Sequence, residues 1–164
     1  MKMRKKSKGL LSCCIIMCMV MMFGLVSCSK AQEEISVDAE QLAGDLFTKI
    51  TYEDKLAQVE QDVAVNNLFD CADVKIKECY VYESSRATAE EIAVFVCENG
   101  EEAQKMREVL ETRVEEQKES YEDYVPEELV KLDKAVIEIK GNYAVLVVAN
   151  DSEGVKNILA EYLK

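Results

Sequence analysis

Residues 135–149 read AVIEIKGNYAVLVVA and carry the clearest fold signal in the chain. Two apolar runs flank Gly141-Asn142, a dipeptide that suits the two-residue turn of a β-hairpin. The run after the turn, residues 143–149, is apolar on both faces, which is typical of a strand inside a sheet. The sequence therefore predicts an antiparallel hairpin whose second strand is central.

A second hairpin is predicted upstream. Residues 73–82 (DVKIKECYVY) alternate in the way of a strand, and residues 91–97 (EIAVFVC) form a β-branched apolar run. We expect residues 83–90 to join these strands in a register that pairs Tyr82 with Glu91. The two hairpins together predict an antiparallel sheet of about four strands.

Helical spacing accompanies the strands. Residues 101–124 place apolar side chains from Ala103 to Tyr124 on one face and glutamates on the other, which predicts a long amphipathic helix. Further helices are predicted after the capping residue Asp38, over 53–70, from Pro126, and after Asp151 or Ser152. The order of elements predicts one α+β domain over residues 38–164, packed by the long helix and by N- and C-terminal helices.

The first 28 residues have the layout of a bacterial lipoprotein signal. Five basic residues lie in 2–8, residues 10–26 are almost wholly apolar, and Leu25-Val26-Ser27-Cys28 looks like a lipobox. This pattern predicts a signal peptide at 1–27, a lipid-modified Cys28, and a tether over 28–37. The alternative is a plain signal or an uncleaved anchor in which Cys28 occurs by chance.

The predicted mature chain is strongly acidic. Residues 28–164 keep all 32 acidic residues but only 15 of the 20 basic ones, which gives a formal charge of −17. This charge argues against a nucleic-acid partner and against a domain that lies flat on anionic lipid. We expect the domain to stand on the outer face of the cytoplasmic membrane, held through Cys28.

The composition restricts the chemistry that is available. The chain has no histidine, so histidine triads and imidazole bases are excluded, and its six glycines are too scattered for a phosphate-binding loop. The domain keeps three cysteines, Cys71, Cys79 and Cys97, without a CxxC pair. The predicted register does not align them, so we expect free, buried thiols and no metal site, cofactor or catalytic centre.

Two polar features suggest a place for binding. Residues 84–88 gather three hydroxyls beside a guanidinium, and we name Ser84, Ser85 and Arg86 as candidate ligand contacts. The alternative is a solvated turn. On the long helix, Arg113 and Gln117 lie one turn apart on or beside the apolar stripe. This pair is either a binding site or a structural contact with strand ends or a loop.

These features together resemble one family. The lipobox, the stretch SSRATAEEIAVF at 84–95, the helix with Arg113 and Gln117 followed by YVPEE at 124–128, and Gly141-Asn142-Tyr143 are similar to bacterial lipoproteins with domain of unknown function 4358. The resemblance implies a surface lipoprotein of Gram-positive, Clostridia-like bacteria without an assigned activity. The family pattern favours a glycine where Arg86 stands, so the chain departs from the family in this loop.

The sequence leads to two functional hypotheses and disfavours a third. The first is a non-catalytic lipoprotein domain that binds a protein or an envelope component. The second is a lipoprotein that binds a small ligand or a cation through residues 84–88 or Arg113, and a concave pocket there would favour it. The third, an enzyme, would need a paired nucleophile and base without histidine.

Overall fold

The computed structural model describes residues 36–164. The predicted signal peptide at 1–27, Cys28 and the tether as far as residue 35 lie outside the described residues. Val37, within the predicted tether, already belongs to the fold because its backbone N–H and C=O both bond the Tyr143 hydroxyl. No helix among the described residues has the length and apolar character to cross a membrane.

The described residues form an α+β fold around one antiparallel sheet. The spatial order of its strands is β1-β2-β3-β5-β4. Their bounds are β1 Ala57–Val59, β2 Ile76–Glu83, β3 Glu91–Cys97, β4 Val136–Lys140 and β5 Tyr143–Val148.

The hairpin predicted over 135–149 is confirmed. Lys140 pairs with Tyr143 across the turn, and β5 lies inside the sheet between β3 and β4. Gly141 has a φ of 56°, a left-handed conformation that glycine adopts at little cost.

Three helices, the first, the long one and the last, begin after polar residues whose side chains cap them. The Asn99 side chain accepts bonds from the N–H groups of Glu101 and Glu102 and caps the long helix, and Asp38 and Asp151 cap the first and last helices in the same way. The bounds are α1 Ala39–Lys49, α2 Gln61–Val63, α3 Gly100–Glu122, α4 Leu129–Leu132 and α5 Ser152–Tyr162. A π-helical turn, Ala64–Leu68, follows α2, and a 3₁₀ turn, Pro126–Glu128, precedes α4.

Helices cover both faces of the sheet. α1 and α5 pack on the face that carries Ile92, Val94 and Val145. α3 packs on the opposite face, which carries Phe95 and Leu146. Because both faces are covered, every residue of β3 and β5 is buried, and this explains why the two strands read as continuous apolar runs.

The sheet has five strands rather than about four, and the fifth lies within the predicted helix over 53–70. Ala57–Val59 is an exposed edge strand whose backbone pairs with Val81–Glu83 of β2, so its side chains leave little pattern in the sequence. Only the C-terminal part of 53–70, from Gln61 to Leu68, is helical. The spacing of Leu56, Val59 and Val63 predicted a helix. This was misleading, because Leu56 lies in a loop and packs into the core from there.

The register predicted for the first hairpin is wrong by one residue over most of its length. Tyr82 pairs with Ile92 and Cys79 pairs with Phe95. A bulge between Ile76 and Glu78 then restores the predicted pairing of Ile76 with Cys97. The bulge adds one residue to β2. The alternation of side chains in the β2 sequence does not show where such an extra residue lies.

Candidate ligand-binding site

The β2–β3 loop closes on itself beside the C-terminal half of α3. The Ser84 N–H donates to the carbonyl of Glu90 at 3.2 Å, and the Ser84 hydroxyl donates to the carbonyl of Thr88 at 2.5 Å. The Tyr121 hydroxyl of α3 also donates to the Thr88 carbonyl at 2.5 Å and so fastens the loop to the helix. Arg86 lies at the tip of this loop with a φ of 71°.

Arg113 of α3 reaches the strand ends at the base of the loop. Its Nη2 lies 2.7 Å from Glu83 Oε1, and its Nε lies 3.3 Å from Glu91 Oε2. Gln117, one turn later, donates from Nε2 to the same Glu91 oxygen at 2.5 Å. Of the two roles that the sequence left open for Arg113 and Gln117, the structure shows the contact with strand ends.

Glu91 is a carboxyl group inside the core. Its side chain is 1% exposed, and burial raises the pKa of the Glu91 carboxyl to about 7, although Arg113 opposes that rise. Glu91 Oε1 and Gln117 Oε1 are both buried oxygens without a hydrogen-bond partner among the described residues. Two hydrogen-bond acceptors therefore have no donor at this end of the sheet.

A cavity of about 350 Å³ opens between the loop and α3, and we call it the hairpin cavity. Its strand and loop side carries Glu83, Ser84, Arg86, Thr88, Ala89 and Glu90. Its helix side carries Arg113, Gln117, Ser120, Tyr121 and, beyond the helix end, Tyr124. The sequence predicted Tyr124 on the inner face of the helix, but α3 ends at Glu122 and Tyr124 is 79% exposed at the cavity.

The structure brings together four of the five binding candidates in the described residues. Ser84, Arg86, Arg113 and Gln117 line the hairpin cavity. Ser85 does not, because its N–H and hydroxyl both bond Oδ2 of Asp54 outside the cavity. Ser85 thus ties the loop to the segment before β1.

A buried lysine supports the back of the loop. Lys131 of α4 is 4% exposed and lies 3.0 Å from Glu128, 3.1 Å from Glu53 and 3.5 Å from Glu90. Burial lowers the pKa of Lys131, but the bonds to Glu128 and Glu53 outweigh it, so the pKa stays above its usual value. Glu90 also accepts from the N–H group of Glu53, and Glu128 accepts from that of Ala89. The segment before β1, the β2–β3 loop, the 3₁₀ turn and α4 therefore meet in one bonded network.

The three cysteines lie in the core on the α3 side of the sheet. Cys71, Cys79 and Cys97 are buried free thiols, and burial raises the pKa of Cys71 and Cys97 to about 12 and that of Cys79 to about 11. Thiols with such pKa values are poor nucleophiles. Among residues 36–164, no three Cys, Asp or Glu side chains gather in a way that could hold a metal ion.

Sequence reasoning missed the acidic partners of the site. Glu83, Glu91 and Glu90 were not singled out, and neither was Lys131. A signal for Glu91 was present, because it shares alternate positions with Ala93 and Phe95 and so faces the core at the start of an apolar strand. Lys131 had no such signal, since Glu53 and Glu90 are distant in sequence.

Comparison with known proteins identifies one family. The model of the family described as Domain of unknown function (DUF4358) matches residues 49–149, which include every residue that lines the hairpin cavity. No curated protein and no solved structure matches the chain.

Proposed function

The chain belongs to the DUF4358 family, and for this member we propose a lipid-anchored extracytoplasmic protein that binds a small ligand in the hairpin cavity. The observation that carries the proposal is the cavity itself. Side chains from the end of β2, the β2–β3 loop, α3 and the segment just after α3 converge on a volume of about 350 Å³, at the lower end of the range for small-molecule sites. The groups that line it are mostly polar or charged, which suits a specific ligand rather than a general apolar surface.

The bonding of the hydroxyl groups favours binding over catalysis. Ser84 and Tyr121 donate to the carbonyl of Thr88, and Thr88 donates to the Glu90 carboxylate at 3.1 Å. Glu90 is in turn occupied by backbone N–H groups and by Lys131. A nucleophile needs a base that is free to take its proton, and these partners are engaged in holding the loop. We therefore propose that the protein binds its ligand without transforming it.

The anchor is proposed from the sequence of residues 2–28. The basic stretch, the apolar stretch and Leu25-Val26-Ser27-Cys28 follow the order of a lipoprotein signal. If Cys28 carries the lipid, residues 29–36 can span at most about 29 Å before Val37 joins the fold. Val37 bonds Tyr143, which lies at the end of β5 away from Val148 and Glu91, so the tether would leave the domain at the end of the sheet opposite the hairpin cavity.

Fragment binding tests the ligand site. The full chain in detergent is screened by saturation-transfer NMR against a mixture of small amines, carboxylates, alcohols and aromatics. Ser120→Trp should block the cavity, because Ser120 is an exposed residue on its helix wall. Glu119→Trp is the matched control, since Glu119 is exposed next to it and does not line the cavity.

The proposal expects at least one fragment that binds the wild type and Glu119→Trp but not Ser120→Trp. If no fragment signal depends on Ser120→Trp, the ligand-binding function is wrong. In that case the other function predicted from the sequence, a domain that binds a protein or an envelope component, becomes the better hypothesis.

A further inference from the structure

We infer that the outer edge of β4 pairs with the same edge of a second copy of this chain, so that two five-stranded sheets form one continuous sheet across a two-fold axis. This pairing is separate from the proposed ligand binding and does not depend on it. It is indicated by the backbone groups that β4 leaves free and by the charges that alternate along the strand.

β4 is the longer of the two edge strands of the sheet. It extends over Val136–Lys140, whereas β1 at the other edge has three residues. Very short edge strands protect a sheet from pairing with another chain, and β1 is of this kind. Among the described residues, no strand pairs with the outer side of β4. β4 is therefore the edge that can accept a further strand.

The backbone of β4 presents Ile137 and Ile139 to the outside of the sheet. The N–H of Cys97 in β3 donates to the carbonyl of Asn142 at 2.8 Å, so every second residue of β5 from Asn142 onwards bonds β3. The intervening residues of β5 bond the even-numbered residues of β4, which lie opposite them. The N–H and C=O groups of Ile137 and Ile139 therefore have no partner strand in the part of the chain that the structure describes.

The side chains of β4 complement each other in one antiparallel register. Glu138 and Lys140 are both exposed, and neither forms an ion pair with another described residue. A two-fold axis at Ile139 places Glu138 of each copy opposite Lys140 of the other. An axis at Glu138 would instead place the two glutamates opposite each other, and such like charges destabilise a sheet. Charge complementarity therefore selects the register centred on Ile139, whose free backbone groups then bond those of its copy.

The remaining charges near the edge do not oppose this register. Glu111 and Glu115 of α3 lie beside β4, but Arg107 is 3.7 Å from Glu111 and Lys118 is 3.1 Å from Glu115. The formal charge of −17 on residues 28–164 acts at longer range. At physiological salt the screening length is about 8 Å, so the contacts at the edge itself dominate.

The face of β4 towards α3 carries apolar surface that pairing would cover. Ile137 and Ile139 are only half-buried on this face. A cavity of about 390 Å³ lies between α3 and β4, and its lining includes Val114, Leu132 and Ile137. In the inferred register Ile139 contacts its own copy, and Ile137 lies opposite Gly141 of the second copy, which has no side chain. The dimer would therefore bury apolar contacts on one face and form ion pairs on the other.

The inferred dimer is compatible with the proposed anchor. The Lys140 residues of the two copies are offset by two positions, about 7 Å along the paired strands, so both hairpin turns lie beside the two-fold axis. Val37, where the tether joins the fold, bonds Tyr143 just after the same turn and packs on the α1 and α5 face. An axis perpendicular to the sheet keeps this face on the same side in both copies. Both lipid anchors would thus reach one membrane.

Charge reversal tests the pairing. Native mass spectrometry of the full chain in mild detergent counts the copies in each particle. Glu138→Lys and Lys140→Glu each place like charges opposite each other and should weaken the dimer about tenfold. The double variant Glu138→Lys/Lys140→Glu restores both pairs with exchanged signs and should recover the dimer. Lys134→Glu is the control, because Lys134 is exposed outside β4 and this change alters the net charge as Lys140→Glu does.

A cysteine at the axis tests the register. In the inferred dimer the two Cα atoms of residue 139 lie about 5.5 Å apart, within the range of a disulfide, whereas those of residue 137 lie about 14 Å apart. On mild oxidation of the full chain, Ile139→Cys should therefore form an intermolecular disulfide in excess of the wild type, and Ile137→Cys should not. Cys71, Cys79 and Cys97 are buried and should not compete.

Four results would overturn the inference. They are a monomeric wild type, a dimer that persists in both single charge variants, a double variant that fails to recover the dimer, and a cross-link that is no stronger at residue 139 than at residue 137. A monomeric wild type would leave the β4 edge to a strand of a different protein. None of the substituted positions lines the hairpin cavity, so these results and those for Ser120→Trp are independent.

Discussion

Arg113 lies between two carboxylates that occupy directly opposite positions on neighbouring strands. Glu83 of β2 pairs with Glu91 of β3, and like charges in such positions destabilise a sheet. The guanidinium bonds both carboxylates, and its carbon lies 5.5 Å from the centre of the Phe69 ring. Arg113 therefore holds the strand ends together while it also forms a wall of the hairpin cavity.

Removal of Arg113 should destabilise the fold. Arg113→Ala leaves Glu83 and the buried Glu91 opposite each other without a cation, so we expect a loss of about 1–3 kcal/mol in the free energy of unfolding at neutral pH. Urea denaturation measures this loss. Arg107→Ala is the control on the same helix, because the Arg107 side chain is 39% exposed and lies 3.7 Å from Glu111, and it should change stability by less than about 0.5 kcal/mol. Equal effects of the two variants would contradict the structural role of Arg113.

Glu91 should give the fold a distinctive dependence on pH. Its pKa rises from the ordinary 4.5 to about 7 because burial opposes its charge, so the folded state binds this proton more tightly than the unfolded state. The stabilisation that the protonated Glu91 carboxyl gives to the fold is fully present below pH 4.5. It declines as the pH rises from 4.5 through 7, and about 3 kcal/mol of it is lost by pH 7. Arg113, Gln117 and Glu83 are the groups that face it.

The variant Glu91→Gln cannot titrate at this position, and it isolates the effect. Urea denaturation between pH 4.5 and 8 should show that the wild type loses stability relative to Glu91→Gln as the pH rises. The difference in slope is the observable, because the substitution also changes the contact with Arg113 at every pH. Parallel stability curves for the two proteins would contradict the assignment of the raised pKa to Glu91.

Among the elements, the short helix α4 organises the segments behind the hairpin cavity. Lys131 of α4 bonds Glu53 before β1, Glu90 in the β2–β3 loop and Glu128 in the 3₁₀ turn. Glu90 also accepts a hydrogen bond from the backbone N–H of Glu53, and Glu128 accepts one from the backbone N–H of Ala89 in the loop. The loop that carries Arg86 is therefore fixed from behind by a helix of one turn.

Lys131→Met should disrupt this arrangement. Methionine fills a similar volume but leaves buried Glu90 and Glu128 without their cation, and loss of one partner from a buried ion pair costs about 3–5 kcal/mol. Lys134→Met is the matched control, because Lys134 is exposed two residues after the end of α4. Thermal and urea denaturation should show a large loss for the first variant and almost none for the second. Similar stability of both variants would show that the network does not fasten the loop.

The elements that the sequence predicted are those with a long periodic pattern or a specific turn. The hairpin over 135–149 and the helix α3 belong to this class. β1 was missed because three exposed or half-exposed residues carry no alternation, and the bulge in β2 shifted the predicted register. Edge pairing and bulges depend on partner strands, which the local sequence does not contain.

Residues of the site were predicted only where the pattern that marks them lies within a single helix or loop. Helical spacing placed Arg113 and Gln117 towards the sheet, and the loop composition marked Ser84 and Arg86. The bonding of Ser85 to Asp54 depends on a segment 31 residues away, and no local pattern connects the two. The predicted and observed sites therefore differ where a residue's position depends on contacts with a segment distant in sequence.

At the scale of the whole molecule, the proposed anchor and the acidic domain act together. Residues 28–164 carry a formal charge of −17, which repels anionic lipid, while the proposed lipid on Cys28 would keep the domain at the membrane. The domain would then stand off the surface at the end of its tether. This arrangement would leave the hairpin cavity open to the surrounding medium.

Cys28→Ala should abolish lipid attachment, because no other residue supplies a thiol after the small residue of the lipobox. Metabolic labelling with a fatty-acid analogue in a lipoprotein-processing bacterium measures the effect. Cys18→Ala, within the predicted signal peptide, is the control and should be labelled like the wild type. Undiminished labelling of Cys28→Ala would contradict the lipoprotein assignment.

The most direct test of the central claim is the identification of what the protein retains in its native membrane. The full chain, Ser120→Trp and Glu119→Trp are purified in mild detergent and analysed by native mass spectrometry. The account predicts a small molecule bound to the wild type and to Glu119→Trp and lost from Ser120→Trp. A small molecule retained equally by all three proteins, or by none of them, would contradict ligand binding in the hairpin cavity.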